Sequence, residues 1–190
     1  MKNVFSLATL AAVLATLASA APTQFDKRVA GGPLVATVGA EFFTVVDQAN
    51  PNTPAVGSQT AVIQRKNGNN EKDTLVSFDL TGVAHRAAST CNLIIRNPTT
   101  VTGSGHTQLF TLGGPIKANT QLTFYQHPYY DQYAGEYNVK LNGDSIAIDV
   151  FSIPCRFDAK SQYVFRPQND NDYITFTQGA NTGAFIEVRN

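Results

Sequence analysis

The stretch Thr74-Leu-Val-Ser-Phe-Asp-Leu-Thr81 indicates the fold class, because apolar and polar side chains alternate along it. Its apolar residues share one face and its polar residues share the other: Val76, Phe78 and Leu80 against Ser77, Asp79 and Thr81. Successive side chains of a β-strand point to opposite faces of the sheet. The stretch therefore predicts a strand of an antiparallel sheet, with one face on a core and the other in water.

Short runs of the same kind lie on both sides of this stretch, separated by Gly, Pro and Asn clusters, and helical periodicity is nearly absent. The predicted strands are Val35–Val46, Thr60–Lys66, Thr74–Thr81, Thr90–Arg96, Gln108–Leu112, Leu122–Gln126, Tyr137–Leu141, Ser145–Ile153, Gln162–Arg166, Tyr173–Thr177 and Ala184–Arg189. We therefore expect an all-β fold, an antiparallel β-sandwich of immunoglobulin-like or jelly-roll type with about ten short strands.

Three local signals refine this picture. Asn142-Gly143 predicts a two-residue hairpin turn of type I′, which needs positive φ at both central residues. The polar stretch Arg65–Asp73 is interpreted as a longer hairpin tip. Within Ser145–Ile153 the apolar phase changes once, which predicts a β-bulge ahead of Pro154.

The first 28 residues have the features of a leader. Lys2, an apolar run over Val4–Leu17 and the small residues Ala18-Ser19-Ala20 predict a secretory signal peptide over residues 1–20, cleaved after Ala20. The apolar run is shorter than the ~20 residues that a membrane span needs. Residues 21–28 end in a dibasic pair, which predicts a propeptide cut after Arg28. We expect a single β-sandwich domain over residues 29–190 and no membrane attachment once the signal is removed.

The charge balance excludes one class of partner. The chain has 14 basic and 14 acidic residues, so its formal net charge is zero, and only 15% of its residues are charged. Removal of residues 1–28 takes three cations and one carboxylate away and leaves a net charge of −2. A nucleic-acid binder needs a basic surface that neutralises phosphates, so no nucleic-acid partner is expected.

Cys91 and Cys155 are the only two cysteines. Each alternates in phase with apolar neighbours, so both sulfurs are expected to face one core. In an oxidising compartment two such cysteines usually pair, which predicts a structural disulfide between them. The alternative, a nucleophilic thiol, requires an exposed and electropositive position that a buried strand does not provide.

Four stretches together resemble a known family: Leu75-Val-Ser-Phe-Asp79, Ser89-Thr-Cys-Asn-Leu93, Phe151-Ser-Ile-Pro-Cys155 and Gly183-Ala-Phe-Ile-Glu-Val188. Their order is similar to that in the ubiquitin 3 binding protein, C-terminal domain family (the But-two C-terminal domain of fungi). The chain departs from the family's pattern at Arg156, where a proline often stands.

The resemblance implies a β-sandwich with its two cysteines bridged, and it carries no catalytic residues. The family's name implies binding to an activating enzyme of a ubiquitin-like pathway. That partner is cytosolic, whereas a secretion signal is predicted at the start of this chain, so we do not transfer that partner to it.

The densest chemical feature is Phe124–Tyr137, which holds five of the seven tyrosines: Tyr125, Tyr129, Tyr130, Tyr133 and Tyr137. Tyrosine offers a large contact area and a polar tip, so a cluster on a loop is a candidate platform for a sugar or a partner protein. The alternative is a long connection held in place by its own aromatic rings, since large aromatic residues are usually buried. The absence of tryptophan counts against a typical carbohydrate-binding platform.

Other polar groups give weaker signals. Asp170 and Asp172 are weak candidates for calcium, but such Asn/Asp runs more often form Asx turns between strands, so we expect no metal. Ser104, His106 and Asp131 supply the residue types of a catalytic triad without its usual sequence frame. We therefore expect no catalytic residues and no cofactor.

These observations favour a secreted, non-enzymatic protein of the cell surface or cell wall, or one that interacts with a host. A glycan-binding module that uses residues 124–137 is the alternative, and a secreted hydrolase is the third hypothesis. The partner itself is unknown from the sequence; a cell-wall polysaccharide and an extracellular protein are the two candidates.

Overall fold

The structure, a computed structural model, describes residues 32–84, 89–149 and 153–190. The predicted signal peptide and propeptide, with their cleavage positions at Ala20 and Arg28, lie outside the described residues. His85 and the centre of the predicted bulge before Pro154 also lie outside them.

The described residues form strands and no helix, which confirms the all-β prediction. The strands are β1 Leu34–Gly39, β2 Phe42–Asp47, β3 Thr60–Lys66, β4 Asn69–Asp79, β5 Thr90–Arg96, β6 Thr100–Thr102, β7 His106–Leu112, β8 Tyr130–Asn138, β9 Ile146–Ala147, β10 Lys160–Pro167, β11 Tyr173–Thr177 and β12 Gly183–Arg189. Within this part of the chain, no helix has the length and apolarity that a membrane span requires.

The strands pair antiparallel throughout and form two sheets. The smaller sheet has the order β1-β12-β5. The larger sheet has the order β6-β11-β3-β4-β10-β7-β8-β9, and β2 also pairs with β4. The two antiparallel sheets form a sandwich that curls into a half-barrel, so the predicted fold class is confirmed.

The main core lies between the two sheets. Ile95 and Ile186 of the smaller sheet pack in one cluster with Val76 and Phe78 of the larger sheet. Phe176 holds the middle of this core, with its ring edge-on to Phe43 at 5.4 Å between centroids and to Phe165 at 6.2 Å. The apolar face predicted for Val76, Phe78 and Leu80 is this buried face.

The disulfide prediction is confirmed. Cys91 of β5 and Cys155 are bonded, with their Cα atoms 5.4 Å apart. Cys155 lies in the connection that leads into β10, so the bridge ties the smaller sheet to the larger one. Ile153 pairs with Cys91 as an isolated bridge beside the bond.

Some strand boundaries differ from the prediction. The run Val35–Val46 is divided into β1 and β2, which belong to different sheets, with Ala40 and Glu41 between them. The predicted strand Leu122–Gln126 forms only isolated bridges, and β6 was not predicted. Strand β8 begins at Tyr130, so much of the tyrosine-rich stretch is a strand rather than a loop.

The two Asn-Gly pairs differ from the prediction in the turns that they form. The two-residue turn with positive φ at both positions is Asn67-Gly68, with φ of 54° and 71°, inside the stretch predicted as a longer hairpin tip. It joins β3 to β4, where Lys66 pairs with Asn69. At Asn142-Gly143 only the asparagine has positive φ, at 56°, and a longer loop over residues 139–145 joins β8 to β9. The prediction of a type I′ turn at Asn142-Gly143 is therefore wrong.

The second face of the larger sheet is covered over part of its area. Residues 113–129, which we name the covering segment, place Ile116 and Leu122 against Leu75 and Val164 of the sheet. Ser77, predicted to be on a wet face, is consequently buried. The covering segment also carries Phe124, Tyr125, His127 and Tyr129.

Candidate functional site

Six aromatic rings form a continuous row along the edge of the covering segment. Each ring contacts the next, with centroid separations of 5.8, 6.4, 5.1, 6.1 and 5.6 Å. In order along this aromatic row, the residues are Tyr125, Phe124, His127, Tyr130, Phe110 and Tyr133. Ring contacts of this length are favourable, so each ring limits the movement of its neighbours.

The ends of the aromatic row are open to solvent. Tyr125 is 71% exposed and Tyr133 is 44% exposed. Tyr129, beside the row, is 66% exposed. Large aromatic side chains held open to water are the type of group that binding surfaces use, because they offer area at a low cost in conformational entropy.

Tyr129 is held against the backbone of Gly113. A Cβ atom at position 113 would lie 2.1 Å from the ring's Cζ, so only glycine permits this approach. The Gly113 amide also donates a hydrogen bond to the Tyr129 carbonyl at 2.9 Å. The ring is therefore exposed on one side and supported on the other.

Two of the five candidate tyrosines are not surface groups. Tyr137 is 1% exposed and packs in the main core, because it alternates onto the inner face of β8. Tyr130 is partly buried at the middle of the aromatic row. The structure thus brings Tyr125, Tyr129 and Tyr133 to the surface and leaves Tyr137 out of the candidate site.

Beneath the aromatic row lies an ion cluster in which the carboxylates of Glu71 and Asp73 are buried and the guanidinium groups of Arg65 and Arg166 are partly exposed. Glu71 accepts from both arginines, at 2.7 Å from Arg65 Nη2 and in a very short contact with Arg166 Nη2. Arg166 Nε lies 3.3 Å from Asp73 Oδ2. Two guanidinium groups thus meet two carboxyl groups at the junction of β3, β4 and β10.

Asp73 is the most buried member, at 0% exposure. Its Oδ2 accepts a hydrogen bond from the Tyr130 phenol, whereas its Oδ1 accepts none from the described residues. Burial, and next the neighbouring charge of Glu71, raise the pKa of Asp73 to about 7. The pKa of Tyr130 is likewise raised, by burial first and by Asp73 second.

Arg166 joins the ion cluster to the aromatic row. Its guanidinium lies 4.7 Å from the centroid of the Tyr130 ring, within the range of a cation–π contact. His127 stacks on the same ring at an interplanar angle of 19°. The central ring is therefore fixed by a stack, a cation and a hydrogen bond.

The three residue types of a triad are present, but their side chains are not linked as a triad requires. The Ser104 hydroxyl bonds to Asp172, and His106 Nδ1 lies 2.9 Å from Glu136 Oε1. Asp131 is exposed and contacts Thr111. The His106 backbone amide donates to the Ser104 hydroxyl at 3.2 Å, but within the described residues no hydrogen bond joins the side chains of Ser104, His106 and Asp131 to one another.

The weak metal candidates have separate environments. Asp172 is buried, and its carboxylate accepts hydrogen bonds from the backbone amides of Ser104, Gly105 and Asn169. Asp170 is exposed. No group of three or more His, Cys, Asp or Glu side chains with metal-ligand placement occurs among residues 32–84, 89–149 and 153–190.

Sequence reasoning missed the ion cluster. The polar pattern of Arg65–Asp73 predicts a hairpin tip, where charged side chains such as Glu71 and Asp73 are usually solvated. Their spacing of two residues continues the phase of Leu75 along β4, which was the available signal that they share its face. The cluster forms because β10 brings Arg166 beside them.

Comparison with known protein families identifies a similar family. The model of the family described as Ubiquitin 3 binding protein But2 C-terminal domain matches residues 41–182. No curated protein matches the sequence. The matched region includes both cysteines, the ion cluster and the whole aromatic row.

Proposed function

Because this chain belongs to the Ubiquitin 3 binding protein But2 C-terminal domain family, we propose that it acts as a binding domain and not as an enzyme. The family's description names protein binding, which supports a binding role similar to that of the ubiquitin 3 binding proteins. The observation that carries the proposal is the aromatic row, with its exposed Tyr125 and Tyr133 and a central ring fixed from below.

We propose further that this binding takes place outside the cell, at the surface, in the wall or against a host. The leader of residues 1–20 supports export through its charged start, apolar run and small-residue cleavage site. The bond between Cys91 and Cys155 supports the same location, because structural disulfides persist in oxidising compartments.

The non-catalytic part of the proposal is supported by the hydrogen bonds of the polar groups. His106 is engaged by Glu136, Gln168 and Asn138, and its ring nitrogens are bonded within the protein. Ser104 and Asp172 bond to each other in a turn. Acyl transfer instead requires a nucleophile, a base and an orienting acid within hydrogen-bond reach of one another.

The location is tested by following the product of the full reading frame, tagged at its C-terminus, in a secreting host. We expect the protein in the medium or in the wall fraction, with a new N-terminus at Ala21 or Val29. Retention inside the cell with Met1 intact would contradict an extracellular role. As a control for an effect of the tag on export, the assay is repeated on the untagged protein, which is detected with an antibody against the protein itself.

A glycan is the second candidate ligand, favoured by the exposure of Tyr125, Tyr129 and Tyr133 on one segment. Flat rings that stand open to water match the apolar faces of sugar rings, and the phenol groups can hydrogen-bond to hydroxyls. A protein partner uses the same kind of residues, so the ligand class has to be measured.

Pull-down on insoluble chitin, glucan and mannan separates these ligands. If a polysaccharide is bound, Tyr125→Ala and Tyr129→Ala should reduce the bound fraction. Tyr173→Ala is the matched control, because Tyr173 is also an exposed tyrosine but lies on β11, outside the row. Binding to none of the three polymers would remove the glycan candidate and leave a protein partner, to be sought by crosslinking through a photoreactive residue at Tyr125.

A further inference from the structure

A cleft with a volume of about 670 Å³ opens between the covering segment and the beginning of β10. Its apolar surface comes from Phe42, Pro115, Ile116, Ala118 and Ala159. The volume lies within the range of ligand pockets, which are mostly apolar with few polar groups. None of these residues belongs to the aromatic row.

The walls of the cleft are fixed by hydrogen bonds. Gln162 of β10 accepts from the Ile116 amide at 2.9 Å and donates to the Ile116 carbonyl at 2.8 Å. On the other side, the Gly57 amide donates to the Ala118 carbonyl at 2.7 Å. A Cβ atom at position 57 would lie 2.8 Å from Ala118, so the two segments are in close contact. The cleft is therefore preformed.

The two lysines at the cleft differ in whether a carboxylate pairs with them. Lys160 lies 2.5 Å from Glu41, and Glu41 also accepts from the Ser77 hydroxyl, so these two charges satisfy each other. Lys117 is exposed, and its ammonium has no ion pair or hydrogen bond with the described residues. An apolar surface with one unpaired cation at its edge is complementary to a molecule with an apolar body and one negative charge.

We propose that this cleft binds an alkyl carboxylic acid, with the hydrocarbon chain against Phe42 and Ile116 and the carboxylate at Lys117. The site is independent of the aromatic row, and the proposal does not rest on the function proposed above. A free acid is favoured over a membrane surface because the apolar residues line a recess, which a bilayer cannot enter as a flat surface.

Calorimetric titration of the protein, expressed from its full reading frame, with octanoate, decanoate and dodecanoate tests the proposal. Each methylene buried in the cleft should strengthen binding by about fourfold, the factor that corresponds to its transfer free energy. Dodecyltrimethylammonium serves as the cationic probe and should bind more weakly than dodecanoate. All ligands are used below the concentration at which they form micelles.

Two variants locate the site. Ala159→Trp fills the cleft and should weaken dodecanoate binding by at least about tenfold, because the indole occupies the volume that the chain needs. Lys117→Ala should weaken it by about two- to fivefold, as expected for an exposed ion pair. Ala180→Trp and Lys140→Ala are the matched controls at exposed positions outside the cleft and should leave the affinity unchanged.

Several results would overturn the proposal. Absence of dodecanoate binding, an affinity independent of chain length, or equal binding to Ala159→Trp and the parent protein would each exclude this ligand in this cleft. Equal affinity for the cationic probe would exclude the role of Lys117. Tighter binding to anionic vesicles than to the free acid would show that this surface contacts a membrane and does not hold a free acid in the recess. Thermal unfolding of each variant verifies that the fold is kept.

Discussion

The phenol of Tyr130 donates a hydrogen bond to the carboxylate of Asp73, which is wholly buried. This bond joins the aromatic row at the surface to the ion cluster beneath it. Arg166 strengthens the junction because it contacts the Tyr130 ring as well as Asp73. The central ring of the aromatic row and the ion cluster therefore share contacts to Asp73 and Arg166.

The stability of the protein should decrease as the pH rises from about 4 to about 7. The pKa of Asp73 is raised to about 7 in the folded state, while an unfolded aspartate has an ordinary pKa near 4. The folded protein thus binds one proton more than the unfolded chain within this window, and the stabilisation present below it is lost as the pH rises through the folded pKa. Urea unfolding at closely spaced pH values measures the slope.

Asp73→Asn should remove this slope, because an amide does not titrate. The difference between the two curves reports the titration of Asp73 together with the effect of its charge on the neighbouring Glu71. We expect the curves to diverge by at least about 1 kcal/mol over the window. Burial by itself would raise the pKa of Glu71, but the contacts with Arg65 and Arg166 together outweigh burial and lower it, so the stabilisation from Glu71 is lost only at more acidic pH. Parallel curves would contradict the assignment.

Tyr130→Phe should reduce the free energy of unfolding by about 1–3 kcal/mol, because it leaves a buried carboxylate oxygen without its donor. Tyr133→Phe is the matched control: Tyr133 also donates to a carboxylate, that of Asp149, but this pair is exposed. Its loss should change stability by no more than about 0.5 kcal/mol. Denaturant midpoints at unchanged slope measure both effects, and equal losses would be inconsistent with a special role for the buried bond.

Gly113→Ala should displace the Tyr129 ring, because the added methyl would lie 2.1 Å from it. Gly114→Ala is the neighbouring control, since its nearest contact is a Pro128 side-chain atom at 3.7 Å. Quenching of tyrosine fluorescence by iodide, together with the binding assay for the aromatic row, should change only in the first variant. The same response in both variants would mean that Tyr129 is not held by Gly113.

Replacement of Cys91 and Cys155 by alanine should cost about 4 kcal/mol, the value of the chain-entropy relation for a loop of this length. The residues are 64 positions apart, so the bond removes much conformational freedom from the unfolded chain. Reduction of the parent protein with dithiothreitol should reproduce the loss, which separates the bond from the effect of the substitutions. A loss below about 1 kcal/mol would show that the bond adds little to the core.

Much of the fold could be predicted from alternation alone. The bounds of β3, β5 and β11 agree with the predicted runs Thr60–Lys66, Thr90–Arg96 and Tyr173–Thr177. These strands have one apolar and one polar face, so local pattern and final environment coincide. The pairing of Cys91 with Cys155 was predictable for the same reason, because both alternate in phase with core residues.

The candidate site could be predicted only in part. The density of tyrosine in residues 124–137 indicated the region, but not which rings are exposed. Tyr133 and Tyr137 lie on the same strand, β8, yet one is open to solvent and the other is in the core. Register shifts where β8 pairs with β7 alter the alternation between them, and these are set by the partner strand.

The sequence by itself determined that the chain folds into antiparallel strands, where several of them begin and end, and that its two cysteines pair. These properties depend on neighbours along the chain. Only the tertiary structure decided that the covering segment buries the second face of β4, and that Glu71 and Asp73 meet Arg166. Such contacts join residues distant in sequence, and strand pairing, not local pattern, brings their side chains together.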